Sequence, residues 1–177
     1  YGLQPHDCLG YMDDILIKGR TFQEFLKNLE EVLKRLGKAG LKVQPSKCQI
    51  LKSQLQYLGH TVSAKGVQPS LDKLGAVAAM SAPKSVADLR HFLGLTGYYR
   101  RYIERYAWLV APLVALLKRG VEFKWSIVHQ QVFEELKARL TSAPILAYPN
   151  FAMPFILEVD ASYGAVGVVL SQEGKDG

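Results

Sequence analysis

The chain has 177 residues, of which 49% are hydrophobic and 21% charged, a composition typical of globular protein with core enough for one or two domains. Its formal net charge of +6 favours an anionic partner, without choosing among nucleic acid, a membrane surface and an acidic protein. The longest apolar run, 108–117, is half the ~20 residues of a membrane span, and no signal peptide is recognisable. We expect an intracellular protein that is neither secreted nor membrane-spanning.

The first predicted element is a pair of short strands around two adjacent acids. Residues 9–17 read LGYMDDILI, with Asp13 and Asp14 at the turn between two apolar runs. Burying an unpaired carboxylate is costly and two neighbouring ones repel each other, so a positive charge must compensate. Hard cations such as Mg²⁺ prefer carboxylate oxygens, and a pair of them can promote phosphoryl transfer. An ordinary exposed turn is the alternative, because Asp is common in turns.

A helix and several strand-like runs follow. Apolar residues over 22–36 recur every three or four positions, which predicts an amphipathic helix. Thr21 and Glu24 form a predicted capping box at its start, and Gly37 and Gly40 are predicted stop signals. Short runs of strand-forming residues, separated by turn residues, are predicted at 41–44, 48–51 and 55–63.

The middle of the chain is predicted to be helical and basic. Periodicity predicts helices over 70–80 and 85–106 and a third that begins after Ser126. Between residues 84 and 119 there are seven Lys or Arg against two Asp or Glu, interleaved with four tyrosines. Arginines bind phosphates and tyrosines can stack on bases, which makes a sequence-independent nucleic-acid surface one interpretation. The alternative is that the tyrosines pack in the helical core and the arginines are only solvated.

The last predicted element is an antiparallel hairpin. FILEVDAS and AVGVVLSQ alternate like strands, so 155–160 should pair with 165–171 through Tyr163-Gly164. Phe155, Leu157 and Val159 would form an apolar face suited to packing. A lone acid at the end of a strand, here Asp160, is a weak signal for a metal site and could simply end the strand.

Taken together, these motifs resemble a known family. YMDDILI, LKVQPSKC, YLGHTVSAKGVQP, LRHFLGLTGYYRRYI, APLVALLKRG, FKW and FILEVDAS run in the order found in the Pol polyproteins of gypsy-type LTR retrotransposons and retroviruses. The resemblance implies an α+β fold: the C-terminal part of a reverse-transcriptase palm, with antiparallel hairpins plus a helix, over 1–68. A helical thumb or connection region over 69–142 and a truncated start of an RNase H-like domain over 143–177 would follow.

The resemblance also implies the site residues. Asp13 and Asp14 would be two of three palm carboxylates that bind Mg²⁺, or Mn²⁺ in its place, and Asp160 would be the first metal-binding acid of RNase H. YLGH at 57–60 matches the hairpin that holds the primer end. The residues expected to contact primer or duplex are Tyr11, Met12, Tyr57, Leu58, Gly59, His60, Arg100, Arg101 and Arg105.

The implied function is that of an RNA-directed DNA polymerase with an attached ribonuclease H. Its expected partners are an RNA template, a DNA primer, the RNA–DNA hybrid, deoxynucleoside triphosphates and the rest of the Pol polyprotein, in a cytoplasmic particle or the nucleus. This stretch alone is expected to be inactive, because the family's remaining acids and nucleotide-binding fingers lie elsewhere. The alternatives are a remnant that binds nucleic acid without catalysis and, for 150–177, a connection-like scaffold.

Overall fold

The computed structural model describes residues 7–162 and 165–173, which form an α+β fold. The seven strands are β1 (Cys8–Tyr11), β2 (Asp14–Ile17), β3 (Gln54–Tyr57), β4 (His60–Ser63), β5 (Gly66–Pro69), β6 (Ile156–Ser162) and β7 (Ala165–Ser171). The helices are α1 (Phe22–Lys38), α2 (Leu71–Ala79), α3 (Val86–Tyr98), α4 (Tyr106–Ala115), α5 (Ile127–Thr141) and two short 3₁₀ helices, Pro45–Lys47 and Arg100–Tyr102. Among the residues described, no helix combines the length and apolar character that crossing a membrane requires.

β1 and β2 form the antiparallel hairpin that the sequence predicts around the two acids. Tyr11 lies opposite Asp14, so Met12 and Asp13 are the two residues of the turn. The expectation of buried flanks is wrong for the tip of this hairpin, since Met12 is 89% exposed and Ile15 is 41% exposed. The reason is one-sided packing, because α1 contacts β2 while the tip of the hairpin projects into solvent.

α1 begins after the predicted N-cap residue, Thr21. The Thr21 hydroxyl accepts a hydrogen bond from the Glu24 amide at 3.2 Å, which satisfies one of the open donors of the first turn. The capping box is only half formed, because the Glu24 carboxylate accepts from the Arg20 amide at 2.8 Å and not from the amide of the cap. The helix passes through Gly37, and Gly40 beyond its end has a φ of +72°.

β3, β4 and β5 form an antiparallel sheet in that order. The predicted strand-like run at 55–63 is confirmed as the hairpin of β3 and β4. β5, over 66–69, was not predicted, because its first and last residues are Gly and Pro, which are rare in strands. The strands predicted at 41–44 and 48–51 are wrong: these segments are irregular and exposed, without a partner strand to bond their backbone groups.

The hydrophobic core lies among the helices. α2 and α4 both pack against α5, and Phe92 of α3 contacts Phe133 of α5 with ring centroids 4.6 Å apart. Leu89 and Phe92 are fully buried as predicted, and Leu93 is half-buried against the same core. Each such side chain removed from water contributes roughly 1.5–3 kcal/mol, so this helical core is the main stabilising unit of the described chain.

The single helix predicted over 85–106 is wrong. α3 ends at Tyr98, a 3₁₀ turn follows, and Arg105 has a φ of +53° before α4 begins. The Thr96 and Tyr106 hydroxyls are 2.9 Å apart, whereas ten residues of continuous helix would separate them by about 15 Å along the axis. The apolar residues recur every three or four positions on both sides of the break. The periodicity therefore did not reveal it, because two helices separated by a turn can bury the same residues as one continuous helix.

β6 and β7 form the predicted antiparallel hairpin, and its connection at Tyr163-Gly164 lies outside the described residues. Its apolar side chains do not pack as expected, because Leu157 is 61% and Val159 59% exposed. The segment before the hairpin runs along the edge of β5, where Val67 and Leu146 exchange two backbone hydrogen bonds of 2.9 Å. This contact ties the start of the last segment to the middle sheet.

Candidate functional site

The two acids stand at an exposed turn. Asp13 and Asp14 are both solvent-exposed, and Met12 before them has a φ of +50°, a conformation that costs a non-glycine residue about 1–2 kcal/mol. Within residues 7–162 and 165–173, no group of three or more His, Cys, Asp or Glu side chains surrounds a metal position. The pair can therefore supply only part of the ligands of a Mg²⁺ ion, whose preferred shell is octahedral oxygen.

A second tight turn joins β3 to β4. Tyr57 lies opposite His60, which leaves Leu58 and Gly59 as a two-residue turn with φ values of +49° and +71°. Positive φ at both central residues is the pattern of the tight hairpin turns that match strand twist. Glycine adopts this conformation freely, whereas leucine is strained in it. We call this feature the Leu58–Gly59 turn.

Two consecutive tyrosines at the end of α3 hold the Leu58–Gly59 turn from outside the sheet. The Tyr98 hydroxyl donates to the Leu58 carbonyl at 2.6 Å, and the Tyr99 hydroxyl donates to the Gly59 carbonyl at 2.7 Å. The Gly59 carbonyl also accepts from the Ser70 amide at 3.0 Å. Both carbonyls of the turn are thus fixed by groups distant in sequence.

His60 lies inside this contact and not on the surface. It is 7% exposed, and its ring is within 5.4–5.9 Å of the rings of Tyr98, Tyr99 and Tyr102. Its Nδ1 lies 2.8 Å from the Leu58 carbonyl, which can only accept, so Nδ1 carries the proton. Nε2 has no partner among the described residues, and burial lowers the pKa of His60 below its ordinary value. The buried ring therefore supports the turn from inside through its bond to the Leu58 carbonyl.

A cleft of about 440 Å³ brings the acidic hairpin and the Leu58–Gly59 turn together. Its lining includes Asp14 of the acidic hairpin, Tyr57 and the Leu58–Gly59 turn, and Asp72 and Lys73 of α2. Burial, and after it the nearby Asp14 carboxylate, raises the pKa of Tyr57. An acidic side chain and a tight backbone turn thus line the same cleft.

The other predicted contact residues do not line this cleft. Tyr11 and Met12 are exposed on the acidic hairpin, and Arg100 and Arg101 are exposed directly after the tyrosine that holds the turn. Arg105 lies in a different, larger groove of about 810 Å³ between the start of α4 and the β6–β7 hairpin. The structure therefore separates Arg105 from the other two arginines.

Asp160 is placed only by its backbone. It lies in β6 opposite Gly167 of β7, and its side chain is outside the described part of the chain. The tyrosines that interleave with the arginines are mainly structural, since Tyr99 and Tyr102 are 1% and 4% exposed.

Sequence reasoning missed Tyr98 and Tyr99 as partners of the Leu58–Gly59 turn. The signal available in the sequence was the pair of adjacent tyrosines. Neighbouring helical residues point about 100° apart, so the two rings extend in different directions, and a buried tyrosine hydroxyl usually has a hydrogen-bond partner outside its own helix.

Two family models match the chain at its two ends. Residues 3–62 match the reverse transcriptase (RNA-dependent DNA polymerase) family, and residues 125–177 match the RNase H-like domain found in reverse transcriptase. The first match contains the acidic hairpin and the Leu58–Gly59 turn. The second contains α5 and the β6–β7 hairpin.

Curated relatives are polyproteins of mobile elements. The chain is 39% identical over 168 residues to the retrovirus-related Pol polyprotein from transposon 297 of Drosophila melanogaster, covering 94% of this chain and 16% of that protein. It is 39% identical over 166 residues to the transposon Tf2-3 polyprotein of Schizosaccharomyces pombe, covering 94% of this chain and 12% of that protein. The chain thus spans less than one fifth of the length of these relatives.

Solved structures with the same fold are viral reverse transcriptases. The foamy viral protease-reverse transcriptase dRH in complex with double-stranded DNA matches with a TM-score of 0.77 and 27% identity, over 88% of this chain and 28% of that one. The same viral enzyme in complex with an RNA/DNA hybrid matches with a TM-score of 0.76 over 88% of this chain and 21% of that one. Over nearly its whole length the chain is therefore similar to the Pol polyproteins of retrovirus-related transposons, and it contains a segment that matches reverse transcriptase followed by one that matches the RNase H-like domain found in reverse transcriptase.

Proposed function

We propose that this chain contributes the acidic hairpin and the primer-holding turn of an RNA-directed DNA polymerase with an attached ribonuclease H. The observation that carries the proposal is the cleft that Asp14 and the Leu58–Gly59 turn both line. Nucleotide addition requires the primer end to be held in fixed geometry beside the acids, and such positioning can supply several kcal/mol of the barrier reduction. A chain that only bound nucleic acid would not need the acidic side chain of Asp14 at the cleft.

The donor chemistry of the acidic hairpin fits a divalent metal. Both families that match the chain generally depend on divalent metal ions. Asp13 in the hairpin turn and Asp14 at the start of β2 would hold Mg²⁺, or Mn²⁺ in its place, through hard carboxylate oxygens. When bound, two such ions lower the charge repulsion between an attacking hydroxyl and a phosphate. The further ligands would come from another part of a longer Pol polyprotein.

The remaining proposed roles concern binding of the substrates. The Leu58–Gly59 turn, with Tyr57 beside it, would carry the primer end, and Tyr11 and Met12 would border it. Arg100 and Arg101, both exposed, would contact duplex phosphates. The proposed substrates are an RNA template, a DNA primer, deoxynucleoside triphosphates and the RNA–DNA hybrid. Support comes from the foamy viral enzyme, whose structures contain double-stranded DNA and an RNA/DNA hybrid.

The β6–β7 hairpin is proposed to begin the ribonuclease H domain. Asp160 would be a metal-binding acid of that domain, together with acids from elsewhere in the polyprotein. A connection-like scaffold is the competing proposal for this segment. The two proposals differ in the effect of removing the Asp160 charge on cleavage of an RNA–DNA hybrid.

The test uses the Pol protein that carries this stretch, in assays of primer extension on an RNA template and of hybrid cleavage. Asp13→Asn should reduce extension by roughly 100-fold or more, since losing one group that stabilises transition-state charge typically costs about 10²–10³ in rate. Hybrid cleavage should remain near the parent level. Asp160→Asn should give the reverse pattern.

Glu122→Gln is the matched control, because Glu122 is an exposed acid whose ion pair with Lys124 lies outside the cleft. It should leave both activities unchanged. Absence of primer extension by the parent protein would overturn the polymerase assignment in favour of a nucleic-acid-binding remnant, and extension by Asp13→Asn at the parent rate would exclude Asp13 as a catalytic acid. Hybrid cleavage by Asp160→Asn at the parent rate would assign the hairpin to a scaffold.

A further inference from the structure

The Leu58–Gly59 turn is not held by its own hairpin alone. Each of its two carbonyls accepts from a tyrosine hydroxyl of α3, at 2.6 Å from Tyr98 and 2.7 Å from Tyr99, across 40 residues of sequence. These two bonds reach the part of the hairpin that faces the cleft. We propose that Tyr98 and Tyr99 are positioning residues of the polymerase reaction, which set the location of the turn and thereby of the primer end. This inference rests on the function proposed above.

The turn needs such external support because it is strained. Leu58 has a φ of +49°, which an L-residue with a side chain adopts unfavourably, and it is half-exposed, so its side chain packing does little to fix it. A strained residue persists only where its surroundings over-determine its conformation. Two hydrogen bonds to the Leu58 carbonyl, from the Tyr98 hydroxyl and from His60 Nδ1, hold Leu58 in this conformation.

The end of α3 lies directly against the turn. A Cβ atom added to Gly59 would stand 3.0 Å from the Tyr99 hydroxyl, so no side chain fits between them. Tyr99 is 1% exposed and belongs to the helical core, which fixes the position of its ring. The hydrogen bond from the Tyr99 hydroxyl to the Gly59 carbonyl therefore fixes the turn relative to the helical core. A displacement of α3 would move the turn as well.

The same segment also orients the proposed phosphate contacts. Tyr98 and Tyr99 bond the turn, and Arg100 and Arg101 follow immediately with exposed side chains. One four-residue segment thus joins the turn at the cleft to two cations on the surface. A shift of this segment would therefore move the turn and the two cations together.

The experiment compares Tyr98→Phe, Tyr99→Phe and the double variant in the Pol protein that carries this stretch. Each substitution removes one hydroxyl and keeps the ring. The control is Tyr148→Phe, because the Tyr148 hydroxyl donates to the Ser63 carbonyl at 3.0 Å at the opposite end of β4. Single-turnover extension at saturating nucleotide, primer–template affinity, thermal stability and hydrogen exchange of the His60 amide are measured for all four variants.

We expect extension to slow by roughly three- to tenfold for each hydroxyl removed, the factor that one hydrogen bond contributes on balance. Primer–template affinity should stay within about twofold of the parent, because the arginines remain. Exchange at His60 should accelerate in the double variant and not in Tyr148→Phe. A purely structural role would lower thermal stability without separating the extension rate from affinity.

Three outcomes decide the question. Parent-like extension and exchange in the double variant would overturn the positioning role while leaving the polymerase assignment intact. Equal slowing by Tyr148→Phe would also overturn it. If the double variant fails to fold, Tyr98→Phe decides, because Tyr98 is 53% exposed and the chain should tolerate the loss of its hydroxyl. Parent-like extension by Tyr98→Phe would then overturn the positioning role. Failure of the proposed function would show separately, as absence of primer extension by the parent protein.

Discussion

At the scale of single residues, the site is built from backbone conformations that ordinary residues avoid. Met12 and Leu58 have φ values of +50° and +49°, and each stands in the tight turn of a hairpin at the cleft. Their strain is tolerated because the flanking strands fix both ends and, for Leu58, because Tyr98 and His60 bond its carbonyl. Of the residues around the turn, His60 is the most sensitive to protonation, because its buried Nε2 has no hydrogen-bond partner among the described residues.

Lowering the pH should destabilise the folded chain through His60. Burial lowers its pKa in the folded state, so below about pH 6.5, the ordinary value, the unfolded chain binds a proton that the folded chain resists. Stability should therefore be full above that pH and fall as pH is lowered through it. Urea unfolding at pH 7.5 and pH 5.5 measures the loss, and His60→Asn, which keeps a donor for the Leu58 carbonyl, should lose less.

His91→Asn is the control, because His91 is exposed on α3. It should retain the pH dependence of the parent. If His60→Asn loses as much stability as the parent between the two pH values, another group is responsible for the acid sensitivity.

At the scale of elements, the break after α3 decides what the basic block can do. A continuous helix over 85–106 would have distributed its arginines along one rod. The break instead places Arg100 and Arg101 next to the Leu58–Gly59 turn, while Arg105, at the start of α4, faces the groove of the β6–β7 hairpin. The arginines therefore lie on two different surfaces. The surface with Arg100 and Arg101 adjoins the Leu58–Gly59 turn, and the surface with Arg105 does not.

The second prediction concerns the salt dependence of duplex binding. Arg100→Gln together with Arg101→Gln should reduce the slope of log affinity against log salt by roughly 2, because each lost phosphate contact reduces it by about 0.9. Fluorescence anisotropy of a labelled primer–template duplex over a salt series measures the slope. Lys34→Gln with Lys124→Gln removes the same charge from exposed sites outside the cleft and should change it little. Equal slopes for the two double variants would contradict the assignment.

At the scale of the whole molecule, a linker before the β6–β7 hairpin is bonded to the middle sheet. The linker pairs Leu146 with Val67 of β5, and the Tyr148 hydroxyl donates to the Ser63 carbonyl of β4. Gly66 permits this approach, since its φ is +137° and an added Cβ would collide with the Leu146 carbonyl. The β6–β7 hairpin is exposed on both sides beyond this point.

The third prediction tests this linker with two glycines. Gly66→Ala should destabilise the chain by about 1–3 kcal/mol, since it strains the backbone and displaces the Leu146 carbonyl. Gly75→Ala, in α2 with nothing within 4 Å of the added Cβ, should stabilise it by about 0.5–1 kcal/mol. Urea unfolding of both variants gives the two signs. A neutral Gly66→Ala would show that the linker is not held at β5.

The sequence by itself determined the features that depend on near neighbours. The acid pair at a hairpin turn, the helix starts at Thr21, Ser85 and Ser126, and the alternation of the last hairpin were all predicted, because strand pairing across a short turn and helix capping involve residues within a few positions. The family was recognisable for the same reason, since its motifs are short local patterns in a fixed order.

Only the tertiary structure decided the features that depend on distant partners. It placed the end of α3 at Tyr98, turned Tyr98 and Tyr99 toward the Leu58–Gly59 turn, buried His60, and made 66–69 a strand paired with Leu146. Strands predicted at 41–44 and 48–51 did not form for want of a partner strand. For the Leu58–Gly59 turn, for His60 and for the linker at β5, the physical reason is that the selecting contacts come from residues about 40 or more positions away, which no local pattern contains.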